Sequence, residues 1–193
     1  LVAVVEEARV LTEQYPDAVD IWNILGMAYK GLGRVEKASK AFRIATDLKP
    51  NFADGYNNLG ITLRDQGKLE EALEAYKKAI FIRPNFAQAY NNMGVALKDQ
   101  GKLEDALKAY KEALEIKPEY ANAFNNMGNV LRQQDKLEDS LKAYKKALEI
   151  KPDYPNAYNN MGNVFKDQDK LEEAIAAYKK AISMKPDYAE AFN

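Results

Sequence analysis

Residues 53–86 read ADGYNNLGITLRDQGKLEEALEAYKKAIFIRPNF. Tyr56, Leu59, Gly60 and Leu63 recur at helical steps, which predicts a first helix over Ala53 to Gln66. Gly67 ends it where a left-handed residue is wanted. Leu69, Ala72, Leu73, Tyr76, Ala79 and Ile80 then form the buried face of a second helix over Leu69 to Ile82. Pro84 stops that helix, because the residue before a proline is pushed out of the helical region. Asn85 is placed to cap the helix that follows. The stretch is two helices joined by a tight turn.

Its spacing recurs along the chain in both directions. Pro16, Pro50, Pro84, Pro118, Pro152 and Pro186 fall 34 residues apart. Gly26, Gly60, Gly94, Gly128 and Gly162 keep the same step, as do Ala45, Ala79, Ala113, Ala147 and Ala181. Gly33, Gly101, Asp135 and Asp169 stand where Gly67 does, and Asp is among the few other residues that tolerate the left-handed region. Asn51, Glu119, Asp153 and Asp187 stand where Asn85 does. A fixed period of this length is the mark of a solenoid, in which each repeat buries its apolar face on its neighbours.

The first repeat carries Trp22, Leu25, Gly26, Tyr29, Ala38, Phe42, Ala45 and Pro50, and the later repeats substitute conservatively (Tyr56, Tyr90, Phe124 and Tyr158 for Trp22). This pattern resembles the tetratricopeptide repeat. The resemblance implies an all-α fold, a right-handed superhelical solenoid of antiparallel helix-turn-helix repeats. It implies a single array over 1–193, with complete repeats at 19–52, 53–86, 87–120, 121–154 and 155–188. Residues 1–18 read as an orphan second helix and 189–193 as the start of a sixth repeat. Gly and Ala columns let the helices approach, while aromatic side chains fill the space between them.

Composition narrows the function. Basic and acidic residues nearly balance, 28 against 29. That offers none of the cationic surplus a nucleic-acid partner selects, and no segment concentrates basic residues on one face toward a membrane. The chain has no cysteine and no histidine, which removes thiolate chemistry, imidazole catalysis and the usual zinc sites. No cofactor or metal is expected. Glu74–Lys78, Glu104–Lys108 and Glu138–Lys142 are one turn apart and read as solvated pairs supporting their helices. The chain is therefore expected not to be an enzyme. Absent cysteine fits a reducing compartment such as the cytoplasm, although periplasmic chains can lack it too. No apolar run is long enough to span a bilayer. Leu1 to Val5 runs into Glu6 and Glu7 without a basic leader, unlike a signal peptide. The absence of an initiator Met leads us to expect a longer parent protein.

At roughly 100° per residue, repeat positions 12, 5, 9, 2, 13 and 6 form one arc of the first helix. Position 5 holds Asn23, Asn57, Asn91, Asn125 and Asn159. Position 6 holds Ile24, Asn58, Asn92, Asn126 and Asn160. Position 9 holds Met27, Ile61, Val95, Asn129 and Asn163. Position 12 is always basic: Lys30, Arg64, Lys98, Arg132 and Lys166. Position 13 adds Asp65, Asp99 and Asp167. An amide side chain offers a donor and an acceptor together, the pair that each peptide unit of an extended chain presents.

In the tetratricopeptide family this arc faces the concave groove. The amide column is similar to that of the O-linked N-acetylglucosamine transferases, whose repeats hold extended polypeptide through Asn at position 6. The carry-over falls on Asn58, Asn92, Asn126 and Asn160 and fails at Ile24. The clamp that other family members use for a carboxy-terminal carboxylate needs cations at positions 2 and 5. Asp20, Asp54, Gln88, Asn122 and Asn156 occupy position 2, so that clamp is not expected.

The expected function is a protein-interaction scaffold that binds a protein or extended peptide, with the position 5, 6, 9 and 12 side chains as the site. Asn92→Ala with Asn126→Ala is then expected to weaken binding with little change in melting temperature. A second reading makes the amides bridges between adjacent first helices. Two further alternatives are a substrate-recognition module of a larger glycosyltransferase, and self-association through uncapped ends. In the last case Val4, Val5, Ala8 and Leu11 at one end and Ile175, Tyr178 and Ile182 at the other lack neighbours.

Overall fold

The structure is a computed structural model that describes residues 1–184. The expected cap at Asp187 and the sixth repeat at 189–193 lie outside the described residues. Every element among the described residues is an α-helix, and the chain divides into two compact units, Leu1–Lys102 and Leu103–Asn193.

The first unit holds α1 (Val2–Gln14), α2 (Val19–Gly31), α3 (Val35–Leu48), α4 (Ala53–Asp65), α5 (Leu69–Ile82) and α6 (Ala87–Asp99). The second holds α7 (Leu103–Ile116), α8 (Ala121–Gln133), α9 (Leu137–Ile150), α10 (Pro155–Asp167) and α11 (Leu171–Met184). Within each unit every helix packs on the next in sequence, and the first helices of successive repeats also touch, α2 on α4, α4 on α6, and α8 on α10. The helical-hairpin solenoid expected from the period is the fold observed.

The small-residue columns work by close approach. A Cβ on Gly60 would lie 2.6 Å from the ring of Tyr76, and one on Gly128 would lie 2.5 Å from Tyr144. Those rings are fully buried between the two helices of a repeat, with Ala79 and Ala147 also fully buried nearby on the second helix. Only hydrogen fits at the glycine position against a large buried ring.

The turns follow the expected chemistry. Gly67 sits at φ 74° and Asp135 at φ 58°. The Gly67 N–H donates to Arg64 and the Lys68 N–H to Leu63, at 2.8 and 2.9 Å. This pair of bonds satisfies the last carbonyls of the first helix. Asp at 135 and 169 accepts the left-handed conformation that Gly takes in the earlier repeats.

The caps differ from the expectation. Phe52, Phe86, Tyr120 and Tyr154 occupy the N-cap positions, with no side-chain cap bond, while Asn51, Asn85, Glu119 and Asp153 lie one residue outside. Each aromatic ring instead receives the cation before the proline: Lys49 on Phe52, Arg83 on Phe86, Lys117 on Tyr120 and Lys151 on Tyr154, with ring-centroid distances of 5.6, 4.5, 5.1 and 4.7 Å. Apolar burial and cation–π attraction win the position over one polar cap.

The charge pairs on the second helices also shift register. Lys77 binds Glu74 and Lys142 binds Asp139, three residues apart rather than four, and Lys78 lies over the Tyr56 ring. Glu104 and Glu138 accept from Gln134 and Gln168 of the following repeat, at 3.0 and 3.4 Å, which takes them out of the expected pairs. Val5 and Ala8, expected to lack a neighbour, are buried in the cluster formed with α2.

Candidate functional site

The arc of the first helices separates into a buried rail and a half-exposed one. Asn57, Asn91, Asn125 and Asn159 at position 5 are only 3–5% exposed. Position 6, one residue on and roughly 100° around the helix, turns its side chains toward the surface, and Asn58, Asn92, Asn126 and Asn160 are half-buried.

The two rails are stitched together across neighbouring repeats. Asn58 Nδ2 donates to Asn23 Oδ1 at 3.2 Å, Asn92 to Asn57 at 3.0 Å, and Asn160 to Asn125 at 3.0 Å. The bridge between adjacent first helices is thus present in both units. It uses the position 5 oxygen and one position 6 N–H. Among the described residues the Oδ1 atoms of Asn58 and Asn160 accept no protein hydrogen bond.

Position 9 decides what faces the second helix. Asn129 Oδ1 accepts the Tyr144 hydroxyl at 2.7 Å, and Asn163 Oδ1 accepts that of Tyr178 at 2.8 Å. Burial is the largest cause of the raised Tyr144 pKa, up to about 12, and it raises Tyr178 as well. In the second repeat position 9 is Ile61, the Tyr76 hydroxyl is buried without a hydrogen-bond partner, and desolvation drives its pKa far upward. In the first repeat Met27 faces solvent at 48% exposure, beside Ile24 at 44%. The face is therefore apolar at α2 and amide-rich on α8 and α10.

The basic column is partly engaged. Arg64 pairs with Asp65 at 3.0 Å and Lys98 with Asp99 at 3.3 Å, each to its chain neighbour. Arg132 reaches Asp167 of the next repeat through two bonds, 2.6 and 3.2 Å, and these hold its guanidinium above the ordinary pKa. Lys30 and Lys166 form no ion pair among the described residues. All are close to the surface, where such pairs are worth less than about 1 kcal/mol and exchange readily. Asp54 at position 2 is held by Arg83 through bonds of 3.1 and 2.6 Å.

One polar column escaped the sequence reading. Gln66 donates to Val35 O and Ser39 Oγ at 3.0 and 2.9 Å, Gln100 to Glu70 at 3.1 Å, and Gln134 and Gln168 to the glutamates named above. These amides tie each first helix to the second helix of the preceding repeat. The signal was an unbroken Gln at position 14 of four successive repeats.

The site thus belongs to a class of helical-hairpin repeat proteins that present a polar face from their first helices. Sequence profiles described as tetratricopeptide repeat match residues 19–52, 41–74 and 155–188, and one described as TPR repeat matches 62–101, 96–135 and 128–169. The chain belongs to the tetratricopeptide repeat family. Its fold is similar to that of PilF from Pseudomonas aeruginosa, with 25% identity and a TM-score of 0.80 over 91% of this chain and 80% of that one. A thermophilic TPR protein of Thermus thermophilus, TTC0263, has 26% identity and a TM-score of 0.78, with 91% and 95% coverage. MamA has 26% identity and a TM-score of 0.72, with 86% and 97% coverage. No curated protein sequence matches it. Family and fold together define a protein-interaction scaffold, a class that is typically not enzymatic. No helix among the described residues is long and apolar enough to cross a membrane.

Proposed function

We propose that the face formed by the first helices of each unit binds an extended polypeptide segment of a protein partner. The observation that carries this reading is the half-exposed position 6 column: Asn58 and Asn160 each spend one N–H on the neighbouring repeat and keep their carbonyl oxygens unbonded. A peptide N–H is the natural donor to such an oxygen, and the remaining amide N–H suits a peptide carbonyl. Main-chain pairing of this kind grips a backbone without dictating its side chains. The Asn23, Asn57 and Asn125 amides at position 5 preorganise the ladder from behind, because each accepts from the position 6 amide in front of it and fixes that rotamer. Arg64, Lys98, Arg132 and Lys166 border the ladder and attract acidic residues of the bound segment. Asn129 and Asn163 extend the amide surface in the second unit, while Ile24, Met27 and Ile61 favour an apolar side chain in the first.

The test is selection of peptides from a displayed random library on the full chain, followed by fluorescence anisotropy with the selected sequences. Asn58→Ala with Arg64→Ala should weaken binding about tenfold, the loss of one to two net hydrogen bonds, with the helical circular dichroism unchanged. Selected peptides that bind these variants as tightly as the parent chain would refute the assignment.

A further inference from the structure

On the side of the second unit formed by its second helices, α7 and α9 flank a seam floored by α8. The floor is Leu107, Phe124, Met127, Leu131 and Ala143, and the rim carries Lys111, Lys136, Lys142 and Lys146 with Asp139, around a cavity of about 660 Å³. The same positions in the first unit form the seam between α3 and α5, with Tyr56, Leu59, Leu63 and Ala75 as its floor and a volume of about 300 Å³.

Two substitutions explain the difference. In the first unit Arg43 of α3 reaches Glu71 of α5 and links the two walls of this part of the seam. Their counterparts are Lys111 and Asp139, and here Asp139 turns to Lys142 at 2.9 Å, so the tie is absent. The rim also changes sign, since Glu74 on α5 becomes Lys142 on α9. Lys111 forms no ion pair among the described residues, and Lys146 holds Glu149 at 2.8 Å with Glu119 close by. Both rim pairs are well exposed, so a ligand carboxylate can displace their acidic partners at little cost.

We propose that this seam is a second binding site, separate from the first-helix face, for an acidic amphipathic segment of a protein partner. Its apolar side chains sit on Phe124, Met127 and Leu131, and its carboxylates pair with Lys111, Lys142 and Lys146. An apolar cavity of several hundred Å³ with a few convergent charges is the usual form of a recognition site. The lysine rim selects the sign of the partner, and electrostatic complementarity of this kind sets specificity and association rate.

The experiment uses the full chain and a fluorescein-labelled peptide of Glu-Leu-Phe-Glu repeats, with versions carrying Gln or Lys in place of Glu. Anisotropy should show saturable binding of the Glu peptide, weaker binding of the Gln peptide and none of the Lys peptide. Lys111→Glu with Lys146→Glu should weaken the Glu peptide about tenfold or more, while the same charge reversal at exposed Lys179 and Lys180 of α11, outside the seam, leaves it unchanged. Amide chemical-shift changes on the unmodified chain should centre on Leu107, Lys111, Met127 and Lys146. Shifts centred elsewhere, equal affinity for the Lys peptide, or indifference to the double charge reversal would overturn the proposal. So would absent peptide binding, with the double variant instead losing self-association or adsorption to phosphatidylserine vesicles.

Discussion

Asn92→Ala is the perturbation that separates the ladder's two parts. In the structure Asn92 Nδ2 is 3.0 Å from Asn57 Oδ1, and Asn57 is 3% exposed. Removing the Asn92 amide leaves a buried oxygen without that donor, which costs about 1–3 kcal/mol. Asn57→Ala removes the buried acceptor, and half-buried Asn92 can turn its N–H to water, so this change costs less per lost bond. With both substituted, neither group is stranded, and the double variant should be more stable than the sum of the singles by about 1 kcal/mol. With a urea dependence of roughly 2 kcal/mol per molar, Asn92→Ala lowers the midpoint by about 0.5–1.5 M. Tandem repeats unfold through neighbour-coupled steps, so the circular-dichroism midpoint is read together with hydrogen exchange in α4 and α6. An unchanged midpoint, or strict additivity in the cycle, would show that the Asn92 amide does not hold Asn57. The position 6 rail would then be free for a ligand alone. This replaces the expectation that Asn92→Ala with Asn126→Ala leaves the melting temperature nearly untouched.

Gly60→Ala should lower stability by up to about 2 kcal/mol, the overpacking of about 1–3 kcal/mol against the buried Tyr76 ring less a helix-propensity gain of about 1 kcal/mol. The same change in a Tyr76→Leu background should instead be neutral or stabilising in urea melts, and equal effects in the two backgrounds would discount the close approach. Alkaline pH should unfold the chain through its buried phenols. The Tyr144 pKa lies at about 12 in the fold against an ordinary 10.0, so its contribution is complete below pH 10 and is lost as pH rises toward 12. Tyr76, Tyr120, Tyr154 and Tyr178 are shifted in the same direction. Phenolate absorbance and circular dichroism should change together above pH 10, whereas full ionisation of the tyrosines with the helices intact would contradict the burial.

Much of the architecture was legible because it is local and repeated. The period, the second-helix limits at Leu69 and Ile82, and the left-handed turns at Gly67 and Asp135 each follow from residues close in sequence, and the backbone conforms at each. The cap positions were misplaced by one residue because a polar residue's propensity competes with an aromatic ring that only folded packing can bury. Periodicity also placed positions 5 and 6 on one arc without ranking their exposure. Which of two adjacent amides is covered depends on the neighbouring first helix, and that neighbour arrives from 34 residues away. The Gln seam has the same origin, since Gln100 meets Glu70 only when successive hairpins stack.

Sequence alone therefore determined the helical hairpin, its turn chemistry and the residue types on each face, since these rest on dihedral preferences and apolar spacing within one repeat. The tertiary structure decided which amides are buried, which cations find carboxylates, and which seam is tied by Arg43 and Glu71 and which is open beside Lys111. Those outcomes turn on distances of a few ångströms between side chains of different repeats, and such distances exist only once the helices are packed.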